Sequence, residues 1–177
     1  MNPEEAIRDP VFQLNLLVWM AKEQPQNDFR VRAFFHEHGF QLHYIEQPFP
    51  FPTVARNQIE SIPPTLSLEI NLNPQPELTV QRHTDGRAIY FEAKAQGFSQ
   101  ASSNSRQARG HLLACGPSFA EVYKPLVGAL LDYVVPSEDV DSMRNCLSTL
   151  KAGLKSAKLE AGDFAVDGLS IRGAELV

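Results

Sequence analysis

Two glutamates and a lysine stand in one short stretch whose pattern would bring them together. Glu77 to His83 alternates, Thr84-Asp85-Gly86-Arg87 holds an Asp-Gly turn, and Ala88 to Lys94 alternates again. That is the pattern of a β-hairpin. With Asp85-Gly86 as a two-residue turn, Glu77 faces Lys94, Thr79 faces Glu92 and Gln81 faces Tyr90. Opposed side chains share a face. Glu77, Thr79, Gln81, Tyr90, Glu92 and Lys94 then form a polar face, with Leu78, Val80, Ile89, Phe91 and Ala93 on the core side. Glu77 and Glu92 become diagonal neighbours, with Cβ atoms about 7–8 Å apart or somewhat less. Two carboxylates at that spacing can converge on one divalent cation, about 2.0–2.6 Å from each oxygen. The simpler alternative is a row of solvated edge charges with a weak Glu77–Lys94 ion pair. Three features favour the cation site. Pro76 immediately precedes Glu77, the Ala93 carbonyl between Glu92 and Lys94 offers a third oxygen, and the polar, basic segment Ser102-Ser103-Asn104-Ser105-Arg106-Gln107-Ala108-Arg109 follows.

This combination resembles the PD-(D/E)XK nuclease superfamily, whose signature is a Pro-Asp pair opening one strand and Asp or Glu, any residue, and Lys in the next. Here it stands as Pro76-Glu77, fourteen residues, and Glu92-Ala93-Lys94. Glu77 occupies the place where the motif usually has Asp; it keeps the charge and adds a methylene. Members often carry a Gln on the following helix, in some followed four residues later by Tyr. Gln107 matches that Gln and His111 stands at the Tyr position, one turn further along the same helix face. The resemblance covers roughly residues 65–135.

The resemblance implies a metal-dependent nuclease that hydrolyses DNA phosphodiester bonds. Glu77, Glu92 and the Ala93 carbonyl would hold Mg²⁺, with Mn²⁺ as a substitute. Lys94 would orient or help deprotonate the attacking water and stabilise developing charge. Gln107 would orient water or bind a phosphate, and Arg106, Arg109 and His111 would contact backbone phosphates. Many members add an upstream acid; Glu23, Glu37 and Glu69 are all candidates. The implied fold is a restriction-endonuclease-like mixed β-sheet in the α/β (α+β) class, flanked by helices, with α-β-β-β-α-β order at its centre and an extra C-terminal helix and strand. A role in prokaryotic defence, restriction or DNA processing follows from the same likeness. A second reading keeps the fold and drops the turnover: a catalytically lapsed module for nucleic-acid or protein binding in a larger complex, suggested by Glu77 and the small size.

The elements that must position these residues are legible in outline. Asp9-Pro10 starts a helix, Asp as N-cap and Pro in the first turn. Val11, Leu14, Leu17 and Val18 continue it at helical spacing to Lys22. Residues 29–46 read equally as a hairpin or as a helix and then a strand, with a turn at His38-Gly39. Seven of the 13 prolines fall between Pro48 and Pro76. That part is expected to be extended and irregular, with one ordered strand from Thr65 to Leu72. A helix is predicted from Asn104 to Cys115, stopped by Gly116-Pro117. A strand follows within Ala129–Val135, then a helix from about Glu138 to Ala157 and a last strand over Phe164–Ile171. Trp19 is assigned to the core; Phe49 and Phe51, in an extended Pro-rich segment, either cover the core or stand exposed to dock a partner, and burial is favoured because most Phe residues bury.

At 177 residues the chain fits one domain, residues 1–177, with its core at about 65–135 and an elaboration at about 136–177. A 43% hydrophobic content argues against disorder. Cys115 and Cys146 lie in apolar stretches and read as buried free thiols of a reducing cytoplasm. The start, Met1-Asn2-Pro3-Glu4-Glu5, lacks the basic character of a signal peptide, and the apolar run Val11–Met20 is too short to span a bilayer, so no membrane association is expected. His36-Glu37-His38 lacks the histidine spacing of a zinc protease, Gly168-Leu169-Ser170 is no nucleophile elbow, and no glycine-rich phosphate loop occurs. The net charge of −5 argues against a non-specific nucleic-acid coat. Yet residues 81–111 carry five basic against two acidic side chains, so positive charge gathers where the site is expected. So small a footprint implies a partner subunit, a homodimer or further domains of a longer chain to select DNA.

Overall fold

The computed structural model describes residues 3–22, 34–46, 48–49, 51–63, 68–117, 129–172 and 175–176. The chain opens with a short helix α1 (Pro3–Ala6) and then α2 (Pro10–Ala21). Asp9 caps α2: its Oδ1 accepts the Val11 N–H at 2.9 Å, with Pro10 in the first turn where no N–H is needed. The inward stripe of α2 is Gln13, Leu17 and Ala21. Trp19 points outward and is 44% exposed, which corrects its assignment to the core.

Helix α3 (Phe34–Glu37) leads through Gly39, at φ +79°, into strand β1 (Phe40–Ile45). The left-handed turn suits a residue without Cβ. Over the described part, residues 34–46 are therefore helix and then strand; residues 29–33 lie outside the described residues. Within the proline-rich stretch the ordered piece is helix α4 (Thr53–Glu60). Of the strand expected over Thr65–Leu72, residues 65–67 lie outside the described residues and 68–72 form no strand. Their alternation is used differently: Leu68, Ile70 and Leu72 pack into the main core, and the Asn71 amide donates to the Arg106 carbonyl at 3.0 Å. Phe49 and Phe51 are buried as expected, Phe49 stacked on Tyr90 at 5.2 Å.

The hairpin is β2 (Leu78–Arg82) and β3 (Ala88–Ala93). Its register pairs Leu78 with Phe91, Thr79 with Tyr90 and Gln81 with Ala88, a shift of two residues from the two-residue turn. Arg82 N–H donates to the Arg87 carbonyl at 2.8 Å and Gly86 N–H to the Arg82 carbonyl at 2.9 Å. These bonds close a four-residue loop, His83 to Gly86. A slip of two leaves every side chain on its expected face, since the strand period is two.

After α5 (Ser103–Ala114) come β4 (Ala129–Pro136), a 3₁₀ turn (Ser137–Asp139), α6 (Val140–Ser156) and β5 (Asp163–Leu169); β6 (Ile171–Arg172) and β7 (Glu175–Leu176) make a small separate pair. The result is a mixed α/β fold with one five-stranded mixed sheet flanked by helices. The strands lie in the order β1-β2-β3-β4-β5, antiparallel from β1 to β3 and parallel from β3 to β5. Parallel neighbours need crossovers, and α5 and α6 lie on the two that link β3 to β4 and β4 to β5. Both faces are covered. Leu17, Ala21 and Phe35 close over Leu78, Val80, Phe91 and Val134 on one side; Leu112, Met143, Leu147, Leu150 and Leu154 close over Tyr90, Leu131, Tyr133 and Val135 on the other. The expected polar face is thus not solvated: Thr79, Gln81, Tyr90 and Glu92 are all buried, Tyr90 beneath Phe49 and Glu92 beneath α5. Cys115 and Cys146 are free and buried. Among the described residues no helix is long and apolar enough to cross a membrane.

Candidate active site

The end of β3, the residue that leads into β2 and one face of α5 meet at a single point. Continued one step, the hairpin register sets Glu77 opposite Glu92 rather than diagonal to it. Lys94, just past the end of β3, bridges them: its Nζ donates to Glu92 Oε2 at 2.8 Å and to Glu77 Oε1 at 3.2 Å. The second Glu77 oxygen accepts the Ala93 N–H at 2.7 Å. Glu92 is fully buried, while the Lys94 and Glu77 side chains are 16% and 24% exposed. Solvent therefore reaches the group from the Glu77–Lys94 side.

Continued two steps, the register sets Ala93 opposite Pro76. Proline has no N–H, so the Ala93 carbonyl receives no ladder bond from it. Ala93 N–H points to Glu77, and the N–H and C=O of one strand residue point to the same edge. The carbonyl is thus directed to the same edge of β3 as Glu77. Pro76 matters here for the donor it lacks.

α5 supplies the roof. Gln107 Nε2 donates to Glu92 Oε2 at 3.4 Å. One turn on, His111 Nδ1 stands 3.5 Å from Glu92 Oε1, and neither of these two atoms has a hydrogen-bond partner among the described residues. His111 is fully buried, so it faces a carboxylate rather than the solvent side where a phosphate backbone would lie. Arg109 projects elsewhere, donating to the Glu69 carbonyl at 3.1 Å. Arg106 is exposed. Of the residues expected at the site, Glu77, Glu92, Ala93, Lys94, Gln107 and His111 come together, and Arg109 does not join them.

Two further residues complete the site and carry no motif. Tyr133 pairs with Glu92 across the parallel β3–β4 ladder, is fully buried, and its hydroxyl has no hydrogen-bond partner among the described residues. Gln13, on the inward stripe of α2, donates to the Lys94 carbonyl at 3.2 Å and to the Ile7 carbonyl at 2.6 Å. With Lys94 N–H bonded to the Val134 carbonyl at 2.9 Å, both backbone groups of the lysine are tied down. A buried glutamine inside an apolar helix stripe is the one sequence signal that could have marked this support.

Burial, and then Glu92, push the Glu77 carboxyl above its ordinary range; Lys94 and the Ala93 amide oppose that. Burial likewise raises Glu92 against the pull of Lys94. Burial works against the Lys94 ammonium, but the two carboxylates outweigh it and hold its pKa up. Burial and then the Lys94 charge push His111 down to about 3, so its ring is neutral near pH 7. The site is therefore an ammonium clamped between two acids, one of them wholly buried, roofed by neutral polar side chains.

Two carboxylates and a carbonyl suit a hard cation such as Mg²⁺, which commonly takes one or two carboxylates and keeps several waters. The Glu92 oxygen without a hydrogen bond fits such a donor set. Lys94 Nζ occupies the space between the acids, so a cation would have to displace it. Among the described residues no three His, Cys, Asp or Glu side chains group as a metal site. Of the candidate third acids, Glu23 lies outside the described residues, Glu37 sits on α3, which packs on the opposite face of the sheet, and Glu69 is exposed beside Arg109. No family model, curated protein or solved structure matches the chain.

Proposed function

We propose that this chain is a metal-dependent nuclease of restriction-endonuclease-like fold that hydrolyses DNA phosphodiester bonds. The observation that carries the reading is the convergence of Glu77, Glu92 and Lys94 at the end of the hairpin. The order α2, β1, β2, β3, α5, β4 supports it, since this is the α-β-β-β-α-β order the resemblance implies, interrupted by the short α3 and α4. The added α6 and β5 correspond to the expected C-terminal elaboration. Glu77, Glu92 and the Ala93 carbonyl would hold Mg²⁺ or Mn²⁺, which supplies charge neutralisation at the phosphate and a more acidic water. Lys94, displaced from between the acids, would lie beside the attacked phosphorus, where its ammonium orients the water and offsets the added negative charge. Gln107 donates to the Glu92 carboxylate, and the neutral His111 packs beside its other oxygen. The setting we assign is cytoplasmic, with a partner subunit or a second copy to select the DNA.

One observation favours the second reading, a lapsed binding module: the cation position is filled by the chain's own ammonium. Plasmid and single-stranded DNA cleavage with Mg²⁺ or Mn²⁺ separates the two. The nuclease reading expects cutting by wild type and loss of at least about a hundredfold in Glu92→Ala and Lys94→Ala, the order seen for removal of a charge-stabilising group. Equal cutting by both variants defeats the site assignment. No cutting, with no Mn²⁺ binding by calorimetry, favours the lapsed module.

A further inference from the structure

An open groove of about 680 Å³ lies just past the C-terminal ends of β3 and β4, between the loop Gly97–Ala101 and the outward stripe Ser142, Asn145 and Thr149 of α6. In sheets of this kind ligands sit outside the carboxyl ends of parallel strands, the end where Glu92 and Lys94 stand. The groove is coupled to that site through one ring. Phe98, in its wall, packs edge-on against Tyr133 at 5.8 Å, and Tyr133 is the cross-strand neighbour of Glu92.

The lining chemistry is selective. Among the described residues no lysine or arginine lines the groove, and Arg8, which reaches Asp139 at its edge, is paired with Asp139 and Glu138, so a phosphate finds no free counter-charge there. Its walls offer two carboxamides, Gln100 and Asn145, each donor and acceptor at once, with the Ser142 and Thr149 hydroxyls beside them. Asp139 adds an acceptor whose Oδ2 is ion-paired with Arg8 Nη1 at 3.9 Å and makes no hydrogen bond among the described residues. Phe98 adds an aromatic face. A flat π-system with alternating donors and acceptors on its edge meets all of these groups, and that describes a nucleobase. The volume lies within the roughly 300–1,000 Å³ of small-molecule sites. A base stacked and paired in a duplex cannot present itself to such a groove; an unpaired or extruded one can.

We propose that the groove binds an unpaired nucleobase of the strand whose phosphate lies at Glu77, Glu92 and Lys94, making single-stranded or locally unpaired DNA the substrate. This rests on the nuclease reading for the phosphate and stands on the groove for the base. The test is a fluorescence-anisotropy titration of the whole chain in EDTA, where no cleavage occurs, with a labelled single-stranded oligonucleotide and with its duplex. Asn145→Leu/Thr149→Leu fills the groove at two exposed helix positions that leucine suits, and Gln100→Ala removes a loop carboxamide. The expected result is tighter binding of the single strand than of the duplex, with a loss of about tenfold in each variant for the single strand alone. Preference for the duplex, or unchanged single-strand affinity in both variants, overturns the proposal. Mn²⁺ calorimetry on the same proteins, dialysed free of EDTA, keeps the two ideas apart. Groove-dependent strand binding without Mn²⁺ uptake sinks the nuclease reading and leaves the base groove. Mn²⁺ uptake with groove-independent strand binding does the reverse.

Discussion

At the scale of single residues, Lys94 is the most exposed to test, because two functions meet on it. Its ammonium pairs with two carboxylates that burial would otherwise leave costly, and it stands where the proposed cation would enter. Lys94→Met keeps the length and removes the charge. Leaving a buried acid unpaired costs about 3–5 kcal/mol, so the variant should melt well below wild type. Binding to the native state alone restores stability, so Mn²⁺ should recover most of that loss in Lys94→Met while moving wild type little, and calorimetry should show about tenfold tighter Mn²⁺ in the variant. Melting curves that Mn²⁺ does not shift would remove the cation site. Asp132 is a second case, away from the site on the α2 face of the sheet. Burial first, then the charge of Asp167, push its carboxyl up to about 8. The folded state thus holds a proton that the unfolded chain releases near its ordinary value of 3.8. With more protons bound in the native state, stability falls as pH rises from about 4 to about 8 and then levels. Asp132→Asn should flatten that slope and raise the melting temperature at pH 8 by a few degrees; a lower melting temperature there would show that the carboxylate is tolerated ionised.

At the scale of elements, α5 holds Gln107 and His111 over Glu92, and Gly110 sets how close it lies to the chain beneath. A Cβ at Gly110 would meet the Asn71 carbonyl oxygen at 2.5 Å, and that oxygen belongs to backbone already tied to α5 through Asn71 N–H. Gly110→Ala should therefore destabilise by about 1–3 kcal/mol, as overpacking does, despite alanine's better helix propensity. Denaturant titration checks it, and an unchanged or higher midpoint would mean that the segment at Asn71 yields freely. Elements of this kind were partly legible in advance. The helix start at Asp9-Pro10, the hairpin, α5 and the C-terminal helix and strand are set by local caps, turns and periodicity. The hairpin register was not, because Arg82 closes a four-residue loop where Asp85-Gly86 alone suggests two; the faces survived because the slip was even. Thr65–Leu72 reads as a strand because apolar alternation does not say whether its partner is a strand or a helix. Tyr133 and Gln13 were invisible as site residues, since their neighbours are decided by a parallel crossover and by helix packing, both distant in sequence.

At the scale of the whole molecule, the question is how an acidic chain of 177 residues would meet the polyanion that the proposed function requires. The positive segment at residues 81–111 promised five basic groups, and the fold occupies most of them. Arg82 and Arg87 engage Asp85 at the loop of the hairpin, Lys94 lies between two acids, and Arg109 is turned to the Glu69 carbonyl. The loop is at the far end of the hairpin from Glu92. Near the site this leaves the exposed Arg106, joined by Lys94 once a cation takes its place. Each neutralised phosphate contributes about −0.7 to the salt slope for single strands, so one or two contacts give a slope of about −0.7 to −1.4 in log affinity against log salt. We therefore expect weak single-strand binding with that shallow slope, and an Arg106→Ala variant about 0.7 shallower still. Equilibrium binding across a salt series measures both. A slope steeper than about −4 would require more cations than the described residues near the site present and would count against DNA binding through Arg106 and Lys94 alone. A shallow slope has its own consequence: the electrostatic attraction that lets a nuclease find its substrate would have to come from a second copy or a partner subunit, and adding the right partner should steepen the slope without altering the Mn²⁺ affinity of the site.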